Sequence, residues 1–199
     1  MRRRRYGGCV DDGFQPGGRA PAPPPLDLVQ DFVNTEIPEC ARDDIATPDE
    51  LERWLRGRAL LDDDERVDAV AFVAARELRA ALRTLALSNT LGAPPVGSVR
   101  RSLDAALSGL SLGVAVDEAG RLAPAPAGVG GSRALASLVA IVLEAQASGA
   151  WNRLKACRKE SCRWLFYDGS RNRSSSWCSM SICGNRVKTA AYRKRRASS

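Results

Sequence analysis

The spacing of apolar side chains predicts helices along most of the chain. Leu26, Val29, Phe32, Val33 and Ile37 recur at intervals of three and four, which places them on one helical face, and Pro38 closes the segment. Thr47-Pro48-Asp49-Glu50 combines an N-cap, a proline at the first helical position and an acid at the third. This capping box opens a short helix that turns Leu51, Trp54 and Leu55 inward and ends at Gly57. Asp62, Asp63 or Asp64 then caps a longer helix running to about Leu87. Val67, Val70, Val73, Leu78, Leu82 and Leu85 are its expected core stripe, and Ala74, Ala75, Ala80 and Ala81 permit close helix contacts. Asn89 to Pro95 reads as loop, and a helix through Leu103 and Leu107 follows.

The period changes at Leu112. Leu112 to Val116 alternates, Asp117-Glu118-Ala119-Gly120 has turn character, and Arg121 to Ala123 returns as a second strand of a small hairpin. Pro124, Pro126 and the Gly128–Gly131 stretch make a further break. Ser132 caps a helix from Arg133 to about Leu154 that buries Leu135, Leu138, Val139, Val142 and Leu143. The fold class is mainly α, a helical N-terminal domain with one small β-hairpin. No internal repeat is present.

Charge divides the chain differently. Residues 151–199 hold 13 Lys and Arg against Glu160 and Asp168, a net +11, while the first 150 residues hold 17 against 21, a net −4. The overall +7 therefore combines an acidic body with a basic tail, and the tail points to a polyanionic partner. Residues 1–25 carry Arg2 to Arg5, two Gly-Gly pairs and the Ala20-Pro21-Ala22-Pro23-Pro24-Pro25 run, which predicts a disordered arm. No apolar run approaches the roughly 18 residues that span a bilayer, and no apolar core follows the N-terminal arginines as in a signal peptide. The expectation is a soluble, cytoplasmic protein. With no histidine, the chain cannot build a Ser-His-Asp or Cys-His catalytic centre, an HExxH site or a mixed Cys/His metal site.

Six cysteines are present, and four of them form a pattern. Cys157 and Cys162 are separated by four residues, as are Cys178 and Cys183, with fifteen residues between the pairs. Two short cysteine loops joined by a hairpin-length spacer can wrap one tetrahedral Zn²⁺ at about 2.3 Å per sulfur. Two disulfides or an iron–sulfur cluster would use the same number of cysteines. The reducing cytosol disfavours the first, and the arginine-rich surroundings without a redox partner domain disfavour the second. Cys9 and Cys40 read as ordinary thiols. Trp164 to Tyr167 reads as a strand over the metal, and Trp177, just before the third ligand, as its cover. After Cys183, Val187 to Arg196 forms a basic helix. Lys188, Arg193, Lys194, Arg195 and Arg196, with Arg186 before it, are candidate nucleic-acid contacts, and Arg171 and Arg173 on the hairpin loop are a second set.

Several motifs carry a family resemblance. The cysteine spacing, the Asp168/Ser170/Asn172 loop, Trp177-Cys178-Ser179-Met180 and above all Cys183-Gly184-Asn185-Arg186 resemble the CGNR zinc-finger family. Leu28-Val29-Gln30-Asp31-Phe32-Val33-Asn34-Thr35 is similar to the opening motif of the helical domain that accompanies that finger. The resemblance implies that Cys157, Cys162, Cys178 and Cys183 are the ligands of one structural zinc. It implies that Asn185 and Arg186 shape the last knuckle or touch the partner, and that the protein is a stress-induced transcription regulator of bacteria. The family often has basic residues before its Trp-Cys pair. Here Ser174-Ser175-Ser176 stands in their place, leaving more of the phosphate contact to the C-terminal helix. Arg186 can instead stack on Trp177 or cap knuckle carbonyls, and Asn34 offers either a ligand contact or, more plainly, a local hydrogen bond.

The expected organisation is a disordered arm (1–25), a helical regulatory or dimerisation domain (26–150) and a zinc finger with a basic helix (151–199). The expected function is a zinc-dependent DNA-binding transcription regulator, not an enzyme, because four thiolates leave the metal no open position. Duplex DNA is the favoured partner, membranes are not, and a homodimer suits paired half-sites. An RNA-binding protein and a protein-interaction adaptor are the alternatives. Nothing in the sequence identifies an effector of the helical domain.

Overall fold

The computed structural model describes residues 15–187, 189 and 196. Cys9 and the candidate contacts Lys188, Arg193, Lys194 and Arg195 lie outside them. The fold is mainly α, with helices α1–α5 between Leu26 and Ala147, further helical residues from Asn185 onward and three two-stranded antiparallel sheets among the described residues.

Helix α1 (Leu26–Asn34) buries Leu26, Val29, Phe32 and Val33, but it ends before Ile37. The chain turns at Thr35 into the short hairpin β1 (Glu36–Ile37) and β2 (Arg42–Asp43). Helix α2 (Pro48–Arg56) forms as its sequence predicts. The Thr47 hydroxyl accepts from the Glu50 amide, the Glu50 carboxylate accepts from the Thr47 amide, and Gly57 ends the helix.

Helix α3 (Ala69–Leu91) departs from expectation in its start and in its face. Its cap is Asp68, which accepts from the Ala71 amide at 2.7 Å, rather than Asp62, Asp63 or Asp64. Ala71, Ala75, Leu78, Leu82 and Ala86 face the core, while Val70 and Val73 are 76% and 55% exposed. The reason is close backbone approach. At the start of α5, a Cβ on Gly131 would stand 2.7 Å from the Ala71 Cβ, so the facing side of α3 must be small. Arg79 lies on this same inward face. It is buried, forks onto Asp43 at 2.6 and 2.7 Å and donates to the Thr35 hydroxyl.

Helix α4 (Gly97–Leu107) leads into the hairpin β3 (Leu112–Val116) and β4 (Leu122–Pro126), paired Val114 to Pro124. Pro124 and Pro126, expected as a break, are strand residues whose missing N–H falls on the unpaired edge. Helix α5 (Gly130–Ala147) has no side-chain cap at its own N-terminus, and Ser132 lies within it. Instead the Glu65 carboxylate accepts from the Gly130 amide at 2.8 Å, and the Arg66 carbonyl from the Gly131 amide. The helix stops at Ala147, short of the expected Leu154, because Gly149 takes a left-handed conformation and turns the chain into β5 (Leu154–Ala156).

Strand β6 (Leu165–Tyr167) pairs antiparallel with β5. Successive strand residues point to opposite faces, and here the alternation joins two cores. Leu165, with Leu154 and Ala156, belongs to the core that α1, α3 and α5 build. Trp164 and Phe166 turn the other way, into a second cluster made by the four cysteines and Ile37.

Candidate metal centre and finger surface

The first knuckle follows β5. The Cys157 amide donates to the Trp164 carbonyl at 2.9 Å, and the amides of Cys162 and Arg163 both donate to the Lys159 carbonyl, folding the four intervening residues into a tight loop. The second knuckle is a π turn, Met180–Gly184, in which the amides of Cys183 and Gly184 share the Ser179 carbonyl. Gly184 lies beneath the side chains of Met180 and Trp177, so any larger residue there would have to push the Met180 side chain aside. A Cβ there would meet Met180 Sδ at 2.6 Å and the Trp177 ring at 3.3 Å.

These loops bring all four sulfurs within 4.8 Å of one another, and all four cysteines are buried. Cys162 and Cys178 are 3.8 Å apart at Sγ, and Cys178 and Cys183 are 3.6 Å apart. A tetrahedron with metal–sulfur bonds of about 2.3 Å has edges of about 3.8 Å, so the spacing fits one zinc ion. A disulfide needs about 2.05 Å, and none of these four cysteines is in one. An iron–sulfur cluster divides its four cysteines among two or four irons and so spreads them wider than a single ion does. Hydrogen bonds from Cys162, then from Cys178 and Cys183, hold the Cys157 thiol far below its ordinary pKa, while the same contact pushes Cys162 up. Four buried sulfurs this close cannot all ionise unless a cation shares the space. Bound there, the ion would be enclosed by thiolates, with a structural part to play.

The finger is tied to the body by polar contacts that join residues far apart in sequence. Asn34 is one. Its amide group donates to the Leu165 carbonyl at 2.9 Å, and its oxygen accepts from the Leu165 amide at 2.8 Å. The side chain thus continues the ladder of β6 and makes a long-range bond rather than the local one its position suggests. Gln30 reaches the same carbonyl at 3.2 Å. Asn89 and Thr90, at the end of α3, take up the carbonyls of Trp151, Leu154 and Ala156.

Arg19 is a second tie. Its guanidinium lies 4.7 Å from the centre of the Phe166 ring and donates to the carbonyls of Cys178 (2.8 Å) and Trp177 (3.2 Å). Around it, Gln15 accepts from Gln30, Gly17 abuts Ser179 and Ala22 is buried. Gln15, Arg19 and Ala22 therefore hold residues 15–25 of the expected disordered arm (1–25) against the finger and α1, and residues 1–14 of it lie outside the described residues.

Asp168 organises the loop after β6. It is fully buried, pairs with Lys155 Nζ at 2.9 Å and accepts from the Ser170 and Ser175 hydroxyls and the Ser175 amide. Burial alone would raise its pKa, but the bonds from Ser170, Lys155 and Ser175 outweigh it and hold the carboxyl well below its usual range. Lys155 also donates to the Arg173 carbonyl. Arg171 and Arg173 are exposed on this braced loop. Asn185 and Arg186 are exposed beyond the second knuckle, at helical positions, and Arg196 is exposed and helical further on. Arg186 is held from the side by the body. It pairs with Glu39 at 3.2 Å, and Glu39 also accepts from Lys159 at 2.5 Å.

Arg19, Glu39, Lys155 and Lys159 escaped the sequence reading. Each acts through a partner distant in sequence or through a backbone carbonyl, neither of which leaves a periodic signal. For Asp168 a local sign existed, since an Asp two residues before a Ser is a turn-forming pair.

Residues 26–151 match the family described as "Putative stress-induced transcription regulator" (ABATE), and residues 153–196 match the CGNR zinc finger. No curated protein matches the chain. Neither family is one of enzymes, and no helix among the described residues is long and apolar enough to cross a membrane. With more than half of its length inside the first match and its four-cysteine centre inside the second, the chain belongs to the ABATE family and carries a CGNR zinc finger built around one structural zinc.

Proposed function

We propose that this zinc-binding regulator acts by binding duplex DNA through its finger. The observation that carries the reading is the exposure of Arg171, Arg173, Asn185 and Arg186 on segments fixed by the metal site, in a region with a net charge of +11. The Asp168–Lys155 pair braces the first segment, and the second knuckle launches the other. Lys188, Arg193, Lys194, Arg195 and Arg196 extend the basic surface along the sequence. Phosphate contacts from these side chains would position the finger on the duplex, and a second copy would supply a second half-site. The helical body then serves dimerisation or signal sensing.

Fluorescence anisotropy with zinc-loaded protein and duplex DNA, at two salt concentrations and again after chelation, tests the reading. Contact by about five basic groups gives a slope of log K against log salt of about −4.5. Binding that vanishes with the zinc is the expected result. A slope near zero with the zinc in place would overturn the reading.

RNA binding by stacked bases has less support. Of its candidate stacking residues Trp164, Phe166 and Tyr167, Trp164 is 8% exposed and Phe166 not at all, since both pack on the cysteine cluster, while Tyr167 is half-buried against the body's core. Competition between duplex DNA and single-stranded RNA separates the two.

A further inference from the structure

The two edges of the β3–β4 hairpin differ. The Asp117 amide donates to the Arg121 carbonyl at 2.8 Å and the Ala127 amide to the Ser111 carbonyl at 3.0 Å, which fixes the phase of the ladder. The odd-numbered residues of the two strands therefore bond each other, and the even-numbered ones turn their backbone groups outward. On β4 the outward positions are Leu122, Pro124 and Pro126, two of which have no N–H to offer. That edge is blunted in the way sheets avoid unwanted pairing. On β3 the outward positions are Leu112, Val114 and Val116, each with a free-facing amide and carbonyl. The strand has no charge, no proline and no bulge, and β4 is its principal neighbour among the described residues. Gly113 to Val116 are exposed, with Val114 at 73%, Val116 at 66% and the cross-strand Leu122 at 78%.

We propose that β3 is the surface through which two copies of this chain associate, edge to edge and antiparallel, about a twofold axis at Val114. The outward residues are symmetric about that point. Val114 meets its counterpart and Leu112 meets Val116, so each copy's three amides and three carbonyls find partners. The two hairpins become one four-stranded sheet, with Val114, Val116 and Leu122 of both copies on a shared apolar face. A second copy fits this edge because the strand is its own complement. Its charges also allow the pairing, since Asp117 and Glu118 of one copy fall beside the uncharged 109–111 of the other. The proposal supplies the dimer that the DNA-binding reading left without a surface. Its test reads mass rather than nucleic-acid binding, so the two can fail separately.

One paired strand is a small contact, below the roughly 1,000 Å² of a lasting interface, and the dimer is expected to exchange with monomer. Sedimentation of the zinc-loaded full chain between about 1 and about 200 µM should show mass rising from 21.4 kDa toward twice that value. Val114→Pro removes one outward amide and Val114→Lys sets two like charges face to face at the axis. Both should stay monomeric over the whole range with unchanged circular dichroism and thermal midpoint, since the Val114 side chain is exposed and its amide faces away from β4. If the proline variant misfolds, the lysine variant carries the test. A wild type that remains monomeric at the highest concentration, or a dimer that persists in a folded variant, overturns the proposal.

Discussion

The helical body and the finger reach a buried centre by different means. In the body, α1, α3 and α5 bring together more than a dozen apolar side chains, and the helices approach closely because α3 presents alanines and α5 begins with glycines. In the finger the centre is four sulfurs with Trp164, Phe166 and Ile37 around them, and one of those, Ile37, is lent by the body. A module of this size has too little apolar surface to fold alone, so the metal and a set of borrowed contacts replace the missing core. The start of β6 shows the division residue by residue, with Leu165 serving the body and Trp164 and Phe166 on either side of it serving the metal.

The sharpest way to break that comparison is to take the zinc away. Metal binding contributes on the order of 10 kcal/mol to such fingers. Chelation under reducing conditions should abolish the ordered β5–β6 region. Leu154, Ala156 and Leu165 also line the body's core, so the thermal midpoint of the whole chain should fall with it. Circular dichroism melts with and without zinc check this. An unchanged midpoint in the metal-free protein would mean that packing alone holds the finger.

Asn34→Ala is next in size. It strips the Leu165 amide of its partner and leaves the carbonyl to Gln30, in a buried site. An unsatisfied buried polar group costs about 1–3 kcal/mol, so a loss of about 2–3 kcal/mol is expected in denaturant unfolding. Hydrogen exchange at the Leu165 amide should speed up, while exchange at the centre of α3 follows only the global loss.

What the sequence made legible divides along the same line. The zinc ligands were readable because a tetrahedral ion dictates paired cysteines at short spacing. The α2 cap and the β3–β4 hairpin were readable because their chemistry is local. The face of α3 was not. Both Val70–Val73 and Ala71–Ala75 fit a helical period, and the choice between them rests on how closely α5 approaches, which only the packed structure reveals. Burial of Arg79 on that face compounds the difficulty, since a charged residue reads as solvent-facing until Asp43 is found beside it. Arg19 was missed for a related reason. It stands in the Pro16–Pro21 stretch of glycine, alanine and proline, and its partners, Trp177 and Cys178, stand at the far end of the chain.

Arg19 offers a smaller test of how much the finger borrows. Its guanidinium satisfies two carbonyls of the second knuckle and covers Phe166, in a partly exposed position. Charge-assisted bonds of this kind are worth about 1–2 kcal/mol after allowance for solvent. Arg19→Ala should therefore release zinc to a chromogenic chelator about tenfold faster. Arg19→Lys, which cannot reach both carbonyls with a fixed fork, should recover only part of the difference. Equal release rates for all three proteins would show that the N-terminal segment lies on the finger without securing it.

The smallest effect belongs to the body and concerns acid. Glu65 holds the start of α5, accepting from Arg133 and from the Gly130 amide, with the Asp62 amide on its other oxygen. Arg133 first, then those two amides, lower its pKa from the ordinary value of 4.5 to about 2. The folded state thus binds this proton less readily than the unfolded chain does. The stabilisation is complete above about pH 4.5 and is lost as pH falls through about 2. Glu65→Gln removes the titrating group and keeps most of the shape, so it should be less stable than the parent at pH 6 and should approach it near pH 2. Zinc leaves in acid as its thiolates protonate, so both proteins are best compared after chelation, where the finger no longer contributes to the pH dependence. Parallel stability curves for the two metal-free proteins between pH 2 and 6 would mean that Glu65 does not anchor α5 as a carboxylate.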